Sequence, residues 1–277
     1  MRLAVAIPIL ATQEIVKNQT LKTIKLLKEN QSKNLTYILY DNGSDPAVVK
    51  WLKKEETDIL IHSDKNNGLP IAYNTMLEKA KSLNIDYLFC THSDIEMFEK
   101  DWDLKIIKSI EEANKIQEVG IAGFYGAFGV GTYDIYKTHY YKGQLARINP
   151  VAGTKCLLKP EVHHHAQFSQ DWIKVACLDG FSQIIKVDTK IRLDETLGYH
   201  HFYDTELGLQ AYELGYQVIC INAEINHIGG ITDVNENWNA DFKQSKSEVH
   251  DFAHIKGYEK WDYRKNENIK IKLPFRI

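Results

Sequence analysis

The first 125 residues alternate short apolar segments, rich in β-branched residues, with segments of helical periodicity. The run LAVAIPI (Leu3–Ile9) is typical of a strand buried on both faces. Because such strands separated by helices indicate βαβ units, the sequence predicts an α/β protein whose mainly parallel, twisted sheet is flanked by helices. Four further strands are predicted at LTYILYD (35–41), DILIH (58–62), DYLFCTH (86–92) and the start of VGIAGFYG (119–126). Helices are predicted between them at 18–30, 47–54, 70–83 and 101–116.

The pattern changes after the fifth predicted strand. Residues 124–170 are rich in Gly, Tyr and His without a clear period, which predicts an irregular region of loops and short antiparallel strands over one end of the sheet. Strand-like character resumes at 172–187, and TELGLQAYELGY (205–216) predicts a helix. QVICINAEI (217–225) predicts another strand, and the tail at 256–277 is basic and rich in aromatic residues.

Composition excludes several classes of protein. The formal net charge is −3, whereas a general nucleic-acid binder needs a basic excess to displace counterions from phosphates. No stretch approaches about 18 consecutive apolar residues, the length of a transmembrane helix. The first residues turn polar too quickly for a signal peptide, and the four cysteines are widely spaced, as is typical of reduced thiols. These features predict a cytoplasmic protein that binds no nucleic acid.

Polar residues follow the predicted strands, and in an open parallel sheet ligands bind beyond the carboxyl ends of the strands. These polar positions are Thr12, the segment 41–44, the segment 66–68 and the segment 92–96. No GxGxxG motif follows the first strand, which argues against an NAD-binding Rossmann domain. The sequence also lacks a GxxxxGK[ST] loop, which excludes a P-loop NTPase.

The motifs at these positions, taken in order, resemble the family 2 glycosyltransferases of the GT-A fold. A first strand ends in IP, a second ends in YDNGS, NNG precedes Asn74, and HSD follows the fourth strand. LDGF, HFYDTELGLQAYELGY and NHIGG then resemble the acceptor-side segments of that family. The resemblance implies a GT-A domain at 1–230, divided into a nucleotide-sugar-binding half (1–123) and an acceptor-side half (124–230), with a C-terminal extension at 231–277.

The resemblance implies a nucleotide-sugar site after the first four strands. It makes Asp41 an acceptor for the uracil or thymine ring, although capping of the D-N-G-S turn explains the same residue. Asn67 and Gly68 match a turn near the nucleotide, and they equally suit a plain turn that needs positive φ. Many family members carry an arginine where this chain has Tyr73, so an arginine–diphosphate contact from that position is absent. The other residues implied for this site are Pro8, Thr12, Asn42, Asn74, Ser93 and Asp94.

A metal site is also implied. The family motif is Asp-x-Asp after the fourth strand, and HSD keeps only the last acid, Asp94, for which a turn cap is the alternative role. One carboxylate can suffice because the sugar-nucleotide diphosphate supplies further oxygen ligands. His92 replaces the first acid, and imidazole suits Mn²⁺ better than Mg²⁺. With His227 of NHIGG as a further ligand, the resemblance implies a bound Mn²⁺ or Mg²⁺.

The acceptor side supplies the implied catalytic base. Asp204 matches the second acid of the family's Glu-Asp pair, while Tyr203 stands in place of the first. Inverting transfer needs a carboxylate that takes the proton of the acceptor hydroxyl, and a helix N-terminus keeps such a group ionised. The alternative is that Asp204 only caps the helix. Asp179, Gly180 and Tyr203 are implied at the acceptor site.

These observations predict a metal-dependent inverting hexosyltransferase that moves a sugar from a nucleoside diphosphate sugar, UDP-linked first, to a hydroxyl of a glycan or glycolipid. One alternative is a catalytically silent GT-A module that only binds sugar nucleotide or glycan. A sugar-1-phosphate nucleotidyltransferase is less favoured, because no Gly-rich basic loop follows the first strand. The basic tail predicts peripheral attachment to an anionic membrane, with packing on the sheet or a dimer contact as alternatives.

Overall fold

Strands and helices alternate over the first 123 residues of the computed structural model, as the sequence predicts. The structure describes residues 1–52, 57–132, 145–157, 165–198, 201–229, 246–262 and 264–277. The strands within these residues are β1 (Leu3–Ile9), β2 (Thr36–Asn42), β3 (Ile59–Ser63), β4 (Tyr87–Thr91), β5 (Ile95–Met97), β6 (Val119–Gly123), β7 (Tyr125–Thr132), β8 (Leu145–Gly153), β9 (Cys156–Leu157), β10 (Ala166–Phe168), β11 (Trp172–Lys174), β12 (Cys177–Leu178), β13 (Ser182–Lys186), β14 (Gln217–Ile221), β15 (Ile225–His227) and β16 (Phe275–Arg276). The α-helices are α1 (Glu14–Asn30), α2 (Pro46–Leu52), α3 (Leu69–Ser82), α4 (Trp102–Asn114), α5 (Tyr203–Glu213) and α6 (Lys246–Trp261).

The largest sheet has the strand order β11-β14-β6-β13-β4-β1-β2-β3. The four strands β1 to β4 form a parallel block, and β6 and β14 also pair in parallel. The prediction of a mainly parallel sheet flanked by helices is therefore confirmed. β13 lies antiparallel between β4 and β6, which the strand-like pattern at 172–187 does not reveal. That pattern corresponds to three separate strands, β11, β12 and β13.

β1 occupies the interior of this sheet, and all seven of its residues are buried. Val5 and Ile7 belong to a core cluster that includes side chains of α1 and α4. Ala4 and Ala6 belong to a second cluster, which includes side chains of α3 and α5. Because neighbouring residues of a strand point to opposite faces, a continuous apolar run is what a sheet covered on both sides requires.

A second sheet contains much of the irregular region. In it β7 pairs antiparallel with β8, β12 and β16, and β10 extends the sheet by pairing with β8. The expectation of antiparallel strands within 124–170 is confirmed for β7 and β8, while 133–144 and 158–164 lie outside the described residues. A small third sheet has the order β5-β15-β9.

The described part of the C-terminal extension packs against residues of the segment 124–230. β16 pairs with β7, which confirms the alternative that the tail packs on a sheet. In α6, Ala253 and Trp261 are buried in a core cluster with Phe202 and Leu209. A Cβ at Gly257 would lie 2.0 Å from the Phe202 ring, so only glycine permits this close approach of α6 to the start of α5.

An ionic contact between the half-buried Lys260 and the buried Glu206 joins α6 to α5. Nζ of Lys260 lies 2.6 Å from a carboxylate oxygen of Asp194 and 2.6 Å from one of Glu206. Glu206 is fully buried in the first turn of α5. Burial raises the pKa of Glu206 even though Lys260 opposes that shift. The lysine is therefore the cation on which a buried carboxylate depends.

We expect Lys260→Ala to destabilise the protein by about 3 kcal/mol, because it leaves the Glu206 carboxylate buried without its cation. The free energy of unfolding in urea at neutral pH measures the effect. Lys256→Ala is the matched control, since Lys256 lies on the same helix in an exposed pair with Glu259 and should cost under about 1 kcal/mol. Equal losses in the two variants would contradict this account.

Candidate active site

The carboxyl ends of the parallel strands β1 to β4 meet at one edge of the large sheet, where ligands bind in this architecture. Asp41, near the end of β2, is fully buried. Its Oδ1 accepts a hydrogen bond from the backbone N–H of Ser44 at 2.9 Å, and its Oδ2 lies 2.7 Å from Nδ1 of His62 on β3. Asp41 therefore caps its turn, as the alternative reading of the sequence predicts, and binding of a base by Asp41 stays a prediction.

His62 is a site residue that sequence reasoning missed. It is the register partner of Asp41 in the parallel pair of β2 and β3, so strand pairing itself places the imidazole beside the carboxylate. The hydrogen bond to Asp41 raises the pKa of His62 above its ordinary value. The His62 side chain is 43% exposed, so it forms the outward-facing member of the pair. Only the register of β3, which the sequence does not give, could have indicated it.

The NNG turn is built from side-chain amides. Gly68 has φ +84°, as expected for a turn that favours glycine. The backbone N–H of Asn67 donates to Oδ1 of Asn42 at 2.8 Å, and its side-chain amide donates to the hydroxyls of Tyr40 (3.0 Å) and Ser63 (2.7 Å). These bonds tie the ends of β2 and β3 to the start of α3.

The other residues implied for the nucleotide-sugar site have varied surroundings. Pro8 is buried within β1, Thr12 is exposed beyond its end, and the carbonyl of Ser93 accepts a hydrogen bond from Thr23 Oγ1 at 2.9 Å. Asn74 on α3 exchanges two hydrogen bonds with the backbone of Leu193, at 2.8 and 3.0 Å. The Asn74 amide thus holds the segment before α5. That any of these residues contacts a nucleotide sugar stays a prediction.

His92, Asp94 and His227 come together directly after β4. Oδ1 of Asp94 lies 3.4 Å from Nε2 of His227 and 3.9 Å from Nδ1 of His92. Antiparallel pairing of β15 with β5 sets this geometry, because it places His227 opposite Ile95. Burial would raise the pKa of Asp94, but its contacts with the two histidines outweigh burial and lower it. The structure therefore brings three residues into one cluster although the first and last, His92 and His227, are 135 positions apart in the sequence.

This cluster fits one metal ion. The three potential ligand atoms lie within 4.8 Å of one another. Ligands about 2.1 Å from a cation lie about 3.0 Å apart at right angles and about 4.2 Å apart when opposite, and the 3.4 and 3.9 Å distances from Asp94 to the two imidazole nitrogens fall within this range. Two imidazoles with a carboxylate favour a transition ion such as Mn²⁺ over Mg²⁺. The His227 ring stacks on Phe181 at 4.6 Å between centroids, which fixes its orientation.

Arg147 on β8, a second residue that sequence reasoning missed, bridges two carboxylates. Its guanidinium donates to Oδ2 of Asp179, and its Nη2 donates to Oδ2 of Asp204 at 2.7 Å. The same Asp204 oxygen accepts from the backbone N–H of Gly180 at 3.0 Å, and Oδ1 accepts from the backbone N–H of Thr205 at 2.7 Å. No motif marks Arg147 in the sequence, because it lies in the irregular region.

The buried Asp204 and the half-buried Asp179 share one guanidinium, and their pKa values move apart. Burial raises the pKa of Asp179, but Arg147 outweighs burial and lowers it strongly. Burial raises the pKa of Asp204, Arg147 opposes that shift only in part, and the charge of Asp179 adds to it. Phe202 occupies the N-cap of α5 and Asp204 lies in its first turn, so the alternative that Asp204 is the N-cap is wrong.

Gly180 and Tyr203, both implied at the acceptor site, contact each other. The Tyr203 hydroxyl lies 3.3 Å from the Gly180 carbonyl oxygen and 3.0 Å from Nε2 of His92. A Cβ on Gly180 would lie 2.3 Å from the Tyr203 hydroxyl, so the absence of a side chain there makes the contact possible. The Tyr203 hydroxyl thus connects these two implied acceptor residues to the group formed by His92, Asp94 and His227, called here the metal-type cluster.

Among the described residues, we find no helix that is both long and apolar enough to span a membrane.

Comparison with known proteins agrees with this architecture. The family model described as Glycosyl transferase family 2 matches residues 7–174, more than half of the chain. No curated protein matches the chain by sequence. The structure of GalNAc-T7 with UDP, GalNAc and Mn²⁺ is similar in fold, with a TM-score of 0.59, 10% identity and coverage of 94% of this chain and 56% of that chain. The chain thus spans little more than half the length of that GalNAc-T7 structure.

Two further structures are similar in fold. The mannosyltransferase PcManGT from Pyrobaculum calidifontis, in complex with GDP-Man and Mn²⁺, has a TM-score of 0.50, 13% identity and coverage of 93% of this chain and 69% of that one. TarS 1-349 of S. aureus in complex with UDP has a TM-score of 0.50, 12% identity and coverage of 99% and 76%. At such identities the similarity shows the fold alone, and it confirms the predicted GT-A architecture.

We expect the His62–Asp41 contact to stabilise the fold more at low pH. Since the folded pKa of His62 is raised, its contribution is full below the ordinary value of about 6.5 and is lost as pH rises through the folded value. The control variant is His62→Gln, which keeps a polar group without the charge. Near pH 6 its free energy of unfolding in urea should be lower than that of the native chain by no more than about 1 kcal/mol. The difference should vanish at alkaline pH, and a pH-independent difference would contradict the assignment.

Proposed function

This chain belongs to glycosyl transferase family 2, and from that premise we propose that it is a metal-dependent inverting enzyme that transfers a hexose from a UDP-sugar to a hydroxyl of a glycan or glycolipid. One observation carries the proposal. The metal-type cluster and the carboxylate pair of Asp179 and Asp204 are attached to the same short segment, in which Phe181 stacks on His227 and the Gly180 N–H donates to Asp204. A nucleotide-sugar donor held at the metal-type cluster would present its anomeric carbon near the carboxylate pair.

The donor would lie across the carboxyl ends of β1 to β4. The nucleobase of the sugar donor would lie at the edge formed by Asp41 and the outward-facing His62, with the NNG turn beside it. The remaining implied residues of this site are Pro8, Thr12, Asn42, Asn74 and Ser93. UDP is the first candidate, and support for a nucleoside diphosphate comes from the solved structures of similar fold that contain UDP or GDP-Man.

His92, Asp94 and His227 would hold the divalent cation, with Mn²⁺ favoured by the two imidazoles. A bound cation supplies charge that stabilises the departing diphosphate. The protein's own part is to keep the three ligands converging, and the lowered pKa of Asp94 keeps that carboxylate ionised for the purpose. Membrane attachment through the basic tail stays a prediction, and part of the tail's apolar surface is already buried against α5.

Asp204 would act as the base. In the transfer step the acceptor oxygen forms a bond to the anomeric carbon as the bond from that carbon to the diphosphate breaks on the opposite face. The hydroxyl proton passes to the Asp204 carboxylate, and the nucleoside diphosphate leaves with the bonding electrons. Arg147 and the Gly180 N–H both bind Oδ2, so they fix the carboxylate, and Asp179 would contribute to binding of the acceptor.

Metal-dependent binding of one nucleotide tests the donor site. We expect isothermal titration of the protein with UDP, GDP and dTDP to show binding of UDP with Mn²⁺ and a large loss of affinity with EDTA. Asp94→Asn should reproduce the loss, because it removes the anionic ligand from the cluster. Asp188→Asn is the matched control, since Asp188 is an exposed acid beyond β13, paired with Lys81 and outside the cluster. Binding that is indifferent to EDTA would remove the metal from the mechanism.

Turnover tests the base. Because the acceptor is not identified, the rate of UDP release from UDP-hexoses, with water as acceptor, is the measurement. We expect Asp204→Asn to lower this rate by about 10²–10⁴-fold and leave UDP affinity unchanged, since an amide oxygen still accepts from Arg147. The rate of UDP release by the native protein should fall as the pH is lowered. Because burial raises the pKa of Asp204, this fall should begin at a higher pH than an ordinary aspartate would give.

Two outcomes would contradict this reading. A variant that keeps most of the native rate would show that Asp204 is not the base. Nucleotide binding without metal-dependent UDP release from any UDP-hexose would favour the alternative of a GT-A module that only binds sugar nucleotide.

A further inference from the structure

The Tyr203 hydroxyl is shared between two groups beneath the metal-type cluster. Tyr203 is the first residue of α5 and is buried. Its hydroxyl lies 3.3 Å from the Gly180 carbonyl oxygen and 3.0 Å from Nε2 of His92. A carbonyl can only accept a hydrogen bond, whereas an imidazole nitrogen can either donate or accept. The arrangement of protons in this trio therefore depends on which partner receives the single hydroxyl proton.

We propose that Tyr203 is a positioning residue that fixes the tautomer of His92, so that Nδ1 of this imidazole, and not Nε2, is the metal-ligating nitrogen. When the hydroxyl donates to the Gly180 carbonyl, its oxygen accepts the Nε2–H of His92. A neutral imidazole carries one proton, so Nδ1 then presents a lone pair. Nδ1, which carries this lone pair, lies 3.9 Å from Oδ1 of Asp94.

The surroundings support this assignment. Metal-ligating histidines normally donate their other N–H to a fixed acceptor, which sets both tautomer and ring orientation. The backbone N–H of His92 donates to the Phe181 carbonyl at 3.0 Å, so its main chain is fixed as well. Gly180 is required for the contact because a Cβ there would overlap the hydroxyl. In this reading Tyr203 supports the metal ligand, and the acceptor contact implied by the family resemblance is not needed to explain it.

This inference rests on the proposed metal site, and titration of the full-length protein with Mn²⁺ alone tests both. We expect Tyr203→Phe to weaken Mn²⁺ binding by about 10–100-fold, the usual effect of removing a partner of a ligating histidine. Tyr73→Phe is the matched control. Tyr73 is also buried, its ring lies 6.2 Å from that of Tyr203, and its hydroxyl has no hydrogen-bond partner among the described residues, so Mn²⁺ affinity should stay unchanged.

A pair of substitutions at His92 identifies the ligating nitrogen. The side-chain oxygen of Asn lies at the same bond distance from Cα as Nδ1, and that of Gln corresponds to Nε2. We expect His92→Asn to retain more Mn²⁺ affinity than His92→Gln. Thermal unfolding of each variant shows whether it is folded, and the Asn–Gln comparison keeps the inference testable if Tyr203→Phe fails to fold.

The outcomes separate the two proposals. If the native protein binds no Mn²⁺, the proposed metal site is wrong and this inference falls with it. If the native protein binds Mn²⁺ and Tyr203→Phe binds it equally well, the metal site stands and the role of Tyr203 is overturned. Tighter binding by His92→Gln than by His92→Asn would likewise overturn the assignment of Nδ1.

Discussion

The contact between the end of β4 and the segment that enters β13 holds the candidate site together. The Phe181 carbonyl accepts hydrogen bonds from the backbone N–H of His92 at 3.0 Å and from the Thr91 hydroxyl at 2.9 Å. Through this contact the metal-type cluster, the Gly180 carbonyl and Asp204 lie around one segment of the chain. The contact exists because β13 inserts antiparallel between β4 and β6 and so brings residues 179–181 to the carboxyl end of β4.

Charge balance is the second constraint on the site. Two groups of acids at and beside the site have a cation within hydrogen-bond distance, which offsets the cost of burying a carboxylate. Arg147 serves Asp179 and Asp204, and Lys260 serves Glu206. The buried Asp94 carboxylate, by contrast, has only His92 and His227 as ion-pair partners among the described residues. A divalent ion would complete the same pattern.

The C-terminal extension belongs to this electrostatic arrangement. Lys260 and Gly257 hold α6 against the first turn of α5, the turn that carries Tyr203 and Asp204. The segment before α5 is held from the other side by Asn74 on α3. The first 123 residues and the C-terminal extension therefore both support the start of the helix that carries Asp204. Sequence analysis could describe the tail as basic and aromatic, but the pattern gave no reason to connect it with α5.

The sequence by itself determined the features that depend on local pattern. Runs such as Leu3–Ile9 identify buried strands because burial on both faces demands continuous apolar side chains, and the ordered motifs identify the family and bring His92, Asp94, His227 and Asp204 to notice. Only the tertiary structure decided the contacts made across strands. His62 reaches Asp41 through sheet register, and Arg147 reaches Asp204 through the packing of a second sheet. Register and sheet packing arise from long-range contacts, which no periodicity within a single segment records.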